Sequence, residues 1–134
     1  YQSFLKINRP RYDDSWERWN RTLKMLSTLG TRTVLRITLI RGYNDDEEMI
    51  PAFASLLQKS NVHFVEIKSY MHIGRSTNRL EHSDMLEMDE VRSFADKLVQ
   101  ENNAFTVMDE SEISRIVILQ NKKRFIDRFI PAYC

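Results

Sequence analysis

The chain of 134 residues contains a single cysteine, and that residue, Cys134, is the last in the sequence. A disulfide bond within the chain needs a second cysteine and a cysteine-rich metal site needs several, so the sequence excludes both. Glycine and proline are also scarce, with three of each. Because flexible linkers and disordered segments are usually rich in such residues, the composition predicts one folded unit.

An excess of one charge and a long hydrophobic run are absent as well. The 20 basic residues nearly balance 19 acidic ones, giving a net charge of +1. Contact with a nucleic acid would therefore depend on local clusters of Lys and Arg. No apolar run approaches the roughly 20 residues of a membrane span, and no signal-peptide pattern opens the sequence. We expect a soluble, cytoplasmic protein with no membrane partner.

Helix-like and strand-like patterns alternate along the chain. The apolar spacing and the β-branched runs predict a helix after Asp14, a strand at 33–40, a helix from Asp45, a strand at 63–71, a helix at 89–101 and strands at 105–108 and 115–120. Residues 72–87 are polar and predict a long loop. Alternation with short connections is typical of a parallel sheet covered by helices, so we expect an α/β fold.

The second predicted strand carries charge where a buried strand would not. Its alternation puts Val65 and Ile67 on one face and Glu66, Lys68 and Tyr70 on the other. A strand covered on both sides is normally apolar throughout. Two structural explanations are an ion pair between Glu66 and Lys68 and an edge strand that is wet on this side.

A functional explanation is that this face lines a ligand cavity. The first predicted strand supports it, because Arg36 and Thr38 also share one face there. We therefore favour Lys68 and Glu66 as candidate catalytic residues. Lys68 would bind a ligand carboxylate, and Glu66 would fix the ammonium group or accept a hydrogen bond from the ligand.

The turn from Arg41 to Asn44 follows the first strand and precedes an acidic helix start. In parallel α/β folds this is the side where ligands bind, and backbone N–H groups at a helix start can hold carboxylate or phosphate. The same residues are also compatible with a simple turn and helix cap. The three histidines lie far apart on different predicted elements, so we expect no metal site from them.

Several segments together resemble a known family. RTVLRITLIRGYNDDEE and, further along, FVEIKSYMHIG are similar to the fifth and sixth strands of the radical S-adenosylmethionine (SAM) partial barrel. Within that superfamily, INRPRYDDSWERWNRTLKML, VEIKSYMHIGRSTNRL and DESEISRIVIL resemble the tRNA-wybutosine enzymes, the archaeal-type 4-demethylwyosine synthases.

The resemblance implies a fold of two parts. Residues 1–80 would form the C-terminal half of a partial (β/α) radical-SAM barrel. Residues 81–134 would form a family-specific α/β extension for wyosine base formation.

The resemblance also implies an activity for the full-length enzyme. SAM and a 4Fe–4S cluster would generate a 5′-deoxyadenosyl radical, and this lyase would join pyruvate-derived carbons to N1-methylguanosine of tRNA-Phe. The CxxxCxxC cluster motif of the family would lie before Tyr1. The resemblance therefore assigns no metal ligand in this chain, and we expect the chain alone to hold no cofactor and to be inactive.

Further site residues follow from the resemblance together with the pattern. The predicted cofactor-binding residues are Thr38, Gly42, Asn44 and Tyr70, and the predicted tRNA contacts are Arg75, Arg79, Lys122, Lys123 and Arg124. A non-catalytic RNA-binding α/β module remains an alternative, as does another radical SAM enzyme that shares the RG-x-ND turn. A half barrel would also expose an edge strand, which favours self-association.

Overall fold

A computed structural model describes residues 1–130 of the chain, and Cys134 lies outside this range. The helices are α1 (Gln2–Asn8), α2 (Ser15–Leu26), α3 (Ile50–Ser60) and α4 (Met88–Glu101). The strands are β1 (Val34–Leu39), β2 (Phe64–Ser69), β3 (Phe105–Ser111) and β4 (Ile116–Asn121). Short 3-10 helices cover Glu47–Met49, Gly74–Asn78 and His82–Asp84.

The four strands form one mixed sheet in the order β1-β2-β4-β3. The predicted parallel arrangement is confirmed for β1 and β2, which are connected through α3. It does not extend further, because β4 pairs antiparallel with both β2 and β3. A hairpin needs only a tight turn, whereas a parallel strand needs a crossover, and the short 112–115 connection permits only the hairpin. Strands from both sides of residue 80 thus share one sheet, and the proposed boundary there stays a prediction.

Helices α2 and α4 begin within one residue of the predicted starts, but the predicted start of α3 at Asp45 is wrong. Glu47–Met49 form a 3-10 helix capped by Asp46, and α3 begins only at Ile50.

The caps of the other helices also differ from expectation. Asp14 does not cap α2 through its side chain and instead accepts a hydrogen bond of 2.8 Å from Arg18 Nε. Pro51 lies in the first turn of α3, where its missing N–H costs nothing. Glu87 and Glu90 form a reciprocal capping box at the start of α4.

The core lies on one side of the sheet, where α3 and α4 pack. Val65 and Ile67 of β2 are fully buried there against Leu57 of α3 and Val91 and Leu98 of α4. The predicted helix-facing side of β2 is therefore confirmed. The helices leave the opposite side of β2 uncovered, which we call the helix-free face.

The N-terminal region holds a helix that the sequence pattern does not predict. In α1, Phe4 packs against Trp16 of α2 with ring centroids 5.1 Å apart, and Trp16 stacks on Trp19 at 5.2 Å. At 7 residues, α1 is too short for a clear apolar period and depends on this aromatic contact. A cleft of about 300 Å³ lies between α1, α2, α3 and the outer edge of β1.

Residues 122–130 run back across the amino ends of β1 and β2. Arg124 donates hydrogen bonds to the carbonyl oxygens of Leu26, Leu29 and Asn61. Arg32 donates to the carbonyl oxygens of Asp127 and Phe129. These bonds tie the segment to the end of α2 and to the start of β1.

Within residues 1–130, no helix combines the length and the apolar character needed to cross a membrane.

Candidate functional site on the helix-free face

Polar side chains cluster on the helix-free face of the two parallel strands. In the β1–β2 register Arg36 lies opposite Glu66, and Thr38 lies opposite Lys68. Strand alternation puts all four on the face opposite the core. The predicted grouping of these residues is therefore what the structure shows.

Glu66 forms an ion pair across the strands. Its carboxylate accepts from Arg36 Nε at 2.9 Å and from Arg36 Nη2 at 3.1 Å, which is a bidentate arrangement. The Glu66 side chain is 16% exposed and that of Arg36 is 62% exposed. The structural alternative that paired Glu66 with Lys68 is thus wrong, and so is the edge-strand alternative, because β2 lies between β1 and β4.

Lys68 is half-buried between its register neighbours Thr38 and Ile116. Among residues 1–130 it forms no ion pair, because the carboxylate of Glu66 on the same face is paired with Arg36. A half-buried ammonium group with polar and apolar neighbours but no carboxylate partner is suited to an anionic ligand.

The turn after β1 is held by its own side chains. Asn44 is buried, its Oδ1 accepts from Ile40 N at 2.8 Å, and its Nδ2 donates to Thr38 O at 2.9 Å. Gly42 has a φ of 70°, a left-handed conformation that favours glycine, and its N–H donates to Asp45 Oδ1. The Asn44 amide is thus fully engaged with backbone groups, and the Thr38 hydroxyl is the group of this set on the helix-free face.

Tyr70 follows β2 and is buried in a small cluster with Ile40 and Leu80. Its hydroxyl donates to Ser76 Oγ at 3.1 Å and lies 3.2 Å from His72 Nδ1. His72 and His82 are distant in sequence, yet their ring centroids are 6.1 Å apart. In the described part of the chain no group of three or more His, Cys, Asp or Glu side chains is placed to hold a metal ion.

The predicted tRNA contacts fall at two opposite ends of the sheet. Arg75 and Arg79 are exposed on the loop that follows β2, at the carboxyl ends of the parallel strands. Lys122, Lys123 and Arg124 follow β4, whose last residues pair with the start of β2. The structure therefore does not bring the two basic groups together.

Two contacts at the carboxyl ends of the parallel strands, near the start of α4, could not be read from the sequence. The Arg41 guanidinium forms a bidentate ion pair with Glu90, at 2.5 Å and 2.7 Å. This contact holds the pKa of the Glu90 carboxyl below its ordinary value and raises the pKa of Arg41. Arg115 binds Leu86 O and Glu87 near the same helix start. Neither partner could be inferred, because each bond joins residues far apart in sequence.

The sequence of the chain is similar to that of known proteins. Residues 59–121 match the model of the wyosine base formation domain. The chain is 46% identical to the SAM-dependent tRNA 4-demethylwyosine synthase of Methanocaldococcus jannaschii, over 92% of this chain and 42% of that protein. The chain is thus homologous, over most of its length, to part of the 4-demethylwyosine synthases. The predicted resemblance is therefore confirmed.

Other synthases are similar over the same extent. The Pyrococcus abyssi synthase is 37% identical over 88% of this chain and 34% of its own length. The human synthase TYW1 is 32% identical over 90% of this chain and 16% of its own length. The chain thus spans less than half of the length of these synthases.

Solved structures of the family confirm the predicted α/β fold. A structure of TYW1 with a lysine-pyruvate adduct bound superposes with a TM-score of 0.81 at 38% identity, covering 94% of this chain and 39% of that one. A crystal structure of archaeal TYW1 superposes with a TM-score of 0.72 at 35% identity, covering 94% of this chain and 37% of that one.

A cysteine-bound iron–sulfur cluster does not fit the residues described in this synthase segment. Residues 1–130 contain no cysteine. The donor groups on the helix-free face are a guanidinium, an ammonium, a hydroxyl and a carboxylate that is already ion-paired. Such groups suit the carboxylate and hydroxyl groups of organic ligands rather than iron.

Proposed function

We propose that the chain is the segment of a radical SAM 4-demethylwyosine synthase that contributes one wall of the reaction cavity. The enzyme would be a cytoplasmic lyase of wybutosine biosynthesis that condenses pyruvate-derived carbons with N1-methylguanosine of tRNA-Phe. The observation that carries this proposal is the 46% identity to the Methanocaldococcus jannaschii synthase over 92% of the chain.

The cofactors would be SAM and a 4Fe–4S cluster, which together supply a 5′-deoxyadenosyl radical when bound. The described residues offer no cysteine for the cluster, so the chain by itself should hold none and should be inactive. The lysine-pyruvate adduct in the similar TYW1 structure supports pyruvate as the co-substrate.

Lys68 is proposed to bind a carboxylate of SAM or pyruvate. Its support is the half-buried position on the helix-free face and the absence of an ion-pair partner within residues 1–130. Glu66 is proposed to orient the site through Arg36, since its carboxylate already accepts two hydrogen bonds from that guanidinium. The ligand would then meet the positive charge of Lys68, which is unpaired in the described part of the chain, beside the neutral ion pair of Glu66 and Arg36.

SAM is proposed to contact the end of β1 through Thr38, next to Lys68. Gly42 and Asn44 would act by holding the turn, because the Asn44 amide bonds to Ile40 N and Thr38 O. Tyr70 would hold the loop after β2 in place through its hydrogen bond to Ser76.

Transfer RNA is proposed to contact Arg75 and Arg79 through its phosphates. Both are exposed and lie at the same end of the sheet as Lys68. Of the basic residues after β4, Arg124 is occupied with backbone carbonyls of Leu26, Leu29 and Asn61. Lys122 and Lys123 are exposed at the far end, so their contact with the same tRNA would require a second contact region.

Replacement of Lys68 by Met tests the cavity assignment in the full-length synthase. Lys68→Met keeps most of the side-chain stem and removes the charge. A lost hydrogen bond to a charged ligand should lower turnover by roughly tenfold or more, while the folded fraction stays that of the parent. Steady-state kinetics with tRNA, pyruvate and SAM, together with thermal denaturation, measure both quantities.

Lys59→Met is the matched control, because Lys59 lies on α3 and its ammonium donates to Asn20 on the helix side of the sheet. It should leave turnover unchanged. Equal turnover of Lys68→Met and the parent would contradict the cavity assignment.

A further inference from the structure

Residues 83–87, here called the return segment, lie against the ends of three strands. Arg41 N, just after β1, donates to Asp84 O at 2.9 Å. Leu86 N donates at 2.8 Å to the hydroxyl of Ser69, the last residue of β2. The return segment therefore closes the long loop after β2 by bonding to the strands themselves.

The Arg41 side chain adds two further bonds to the return segment. Its Nε donates to Ser83 O at 3.0 Å, and its Nη2 donates to Met85 O at 2.9 Å. The same guanidinium forms the bidentate pair with Glu90 in the first turn of α4. A planar guanidinium can serve these acceptors at once, and a lysine ammonium at the same place could not.

Arg115 holds the other side of the return segment. Its Nη1 donates to Leu86 O at 3.0 Å, and its Nη2 lies 3.0 Å from Glu87 Oε2. Its own carbonyl accepts from Ser69 N at 3.1 Å, and its φ of 49° places it in the left-handed region. A non-glycine residue rarely adopts that region, so the bonds around Arg115 stabilise a turn that is otherwise unfavourable.

The loop between Tyr70 and the return segment carries Arg75 and Arg79. Bonds within the loop, such as Ser76 Oγ to Ile73 O at 2.7 Å, shape its short 3-10 helix, and Leu80 is buried beside Tyr70. The loop joins the return segment where Glu81 N donates to Asp84 Oδ2 at 2.9 Å and His72 N donates to Met85 Sδ at 3.2 Å. Its position over the strand ends therefore depends in part on where the return segment is fixed.

We propose that Arg41 and Arg115 are positioning residues that hold the loop so that Arg75 and Arg79 can bind tRNA phosphates. This inference rests on the proposed tRNA contact of that loop. It goes beyond it by assigning tRNA affinity to two arginines whose guanidinium groups bind protein and not RNA. Their effect on tRNA must then pass through the loop.

The experiment compares Arg41→Met with Arg92→Met in the full-length synthase. Arg92 is the matched control, because it lies in α4 and pairs with three carboxylates, Asp89, Glu110 and Glu112, none of which belongs to the loop. Binding of tRNA is measured as a function of salt, and amide hydrogen exchange is followed by mass spectrometry in Gly74–Asn78.

We expect Arg41→Met to lower tRNA affinity on the order of tenfold and to reduce the slope of log affinity against log salt by up to about two, the value for two lost phosphate contacts. Exchange in Gly74–Asn78 should become faster. Arg92→Met should change none of these three quantities. Arg115→Met should reproduce the effects of Arg41→Met, which provides a second variant if the first folds poorly.

A double-mutant cycle separates positioning from general destabilisation. In a background that carries Arg75→Ala and Arg79→Ala, the Arg41→Met change should have little further effect on tRNA affinity. An equal loss of affinity in that background would overturn the inference. Unchanged hydrogen exchange in Gly74–Asn78 would show that Arg41 does not hold the loop in place, whatever the tRNA result. Parent-like tRNA binding by the Arg75→Ala, Arg79→Ala protein would instead remove the proposed tRNA contact, and the inference with it.

Discussion

At the scale of single residues, short polar side chains at the strand ends bind the backbone of their own neighbourhood. Asn44 bonds to Ile40 N and Thr38 O, and the Ser69 hydroxyl accepts from Leu86 N and donates to Tyr70 O. Both side chains are buried. Buried amide and hydroxyl groups must find such partners, because leaving one unsatisfied costs more than its bond gains.

Asn44→Ala should therefore destabilise the fold. The change leaves a buried N–H at Ile40 and a carbonyl at Thr38 without their partner, which should lower the free energy of unfolding by about 2 kcal/mol. Urea denaturation of the chain measures this loss, and Asn103→Ala at an exposed position is the control. Parent-like stability of Asn44→Ala would contradict the role of Asn44 in holding the turn and would favour a direct contact with SAM.

The residues of the candidate site were predictable to the extent that their faces are set by local periodicity. The period of two in β2 correctly put Glu66 and Lys68 opposite the core. Their partners were not predictable, because the register of β1 against β2 decides that Arg36 meets Glu66 and that Lys68 meets Thr38. Register is a property of two strands, and neither strand encodes it alone.

At the scale of elements, the starts of β1 and β2 are joined by a buried histidine. His63 Nδ1 accepts from Thr33 N at 3.1 Å and lies 2.9 Å from the Thr33 hydroxyl. Burial lowers the pKa of His63, and the nearby charges of Arg124 and Arg32 lower it further. An accepting Nδ1 also requires the neutral ring, so the geometry and the lowered pKa agree.

Stability should consequently fall as the pH drops below the ordinary histidine pKa of 6.5. In the unfolded chain His63 gains its proton near that pH, whereas in the folded chain it resists protonation until lower pH. The stabilisation is complete above pH 6.5 and is lost progressively below it, by about 1.4 kcal/mol for each unit of the pKa difference. His63→Asn retains an acceptor near Nδ1 and should remove this pH dependence.

Chemical denaturation between pH 5 and pH 8, a range of about three units around the histidine pKa, tests this prediction. His82→Asn is the control, because His82 is exposed on the loop before α4. The prediction is wrong if the His63→Asn and parent proteins lose stability in parallel over this range.

Helices and strands with a strong local sequence pattern were predicted well, and those that depend on contacts between distant residues were not. The spacing in α4 and the β-branched run of β1 are strong local signals. In contrast, α1 depends on packing of Phe4 against Trp16 and Trp19, and the loop after β2 is shaped by Arg41 and Arg115. A sequence window contains only one side of each such contact.

At the scale of the whole molecule, α3 and α4 pack on one side of the described sheet, and the polar residues of its parallel strands lie on the other. The helix-free face carries the polar residues of β1 and β2 together with the half-buried Ile116 and Ile118 of β4. β1 is an edge strand whose outer side has no strand partner within residues 1–130, and Val34 at its start is 53% exposed. Both features would be covered in a closed barrel, which agrees with a chain that spans less than half of its relatives.

The isolated chain should therefore self-associate through the β1 edge. An unpaired strand with exposed apolar residues is a template for pairing with another copy, and a charge on such an edge opposes it. Val34→Lys should shift the chain toward the monomer, as measured by sedimentation velocity. The concentration at which half of the chains are associated should rise on the order of tenfold. One desolvated charge at a pairing edge should cost about as much free energy as the loss of a hydrogen bond to a charged group. Ile113→Lys is the control, because Ile113 is 95% exposed on the β3–β4 turn and its replacement adds the same charge away from the edge.

If both variants dissociate the chain equally, surface charge in general and not pairing at the β1 edge controls the association. If the parent chain is monomeric at all concentrations, the edge is protected within the chain itself, and the aromatic cleft between α1, α2 and β1 is the part of the structure in which to look for that protection.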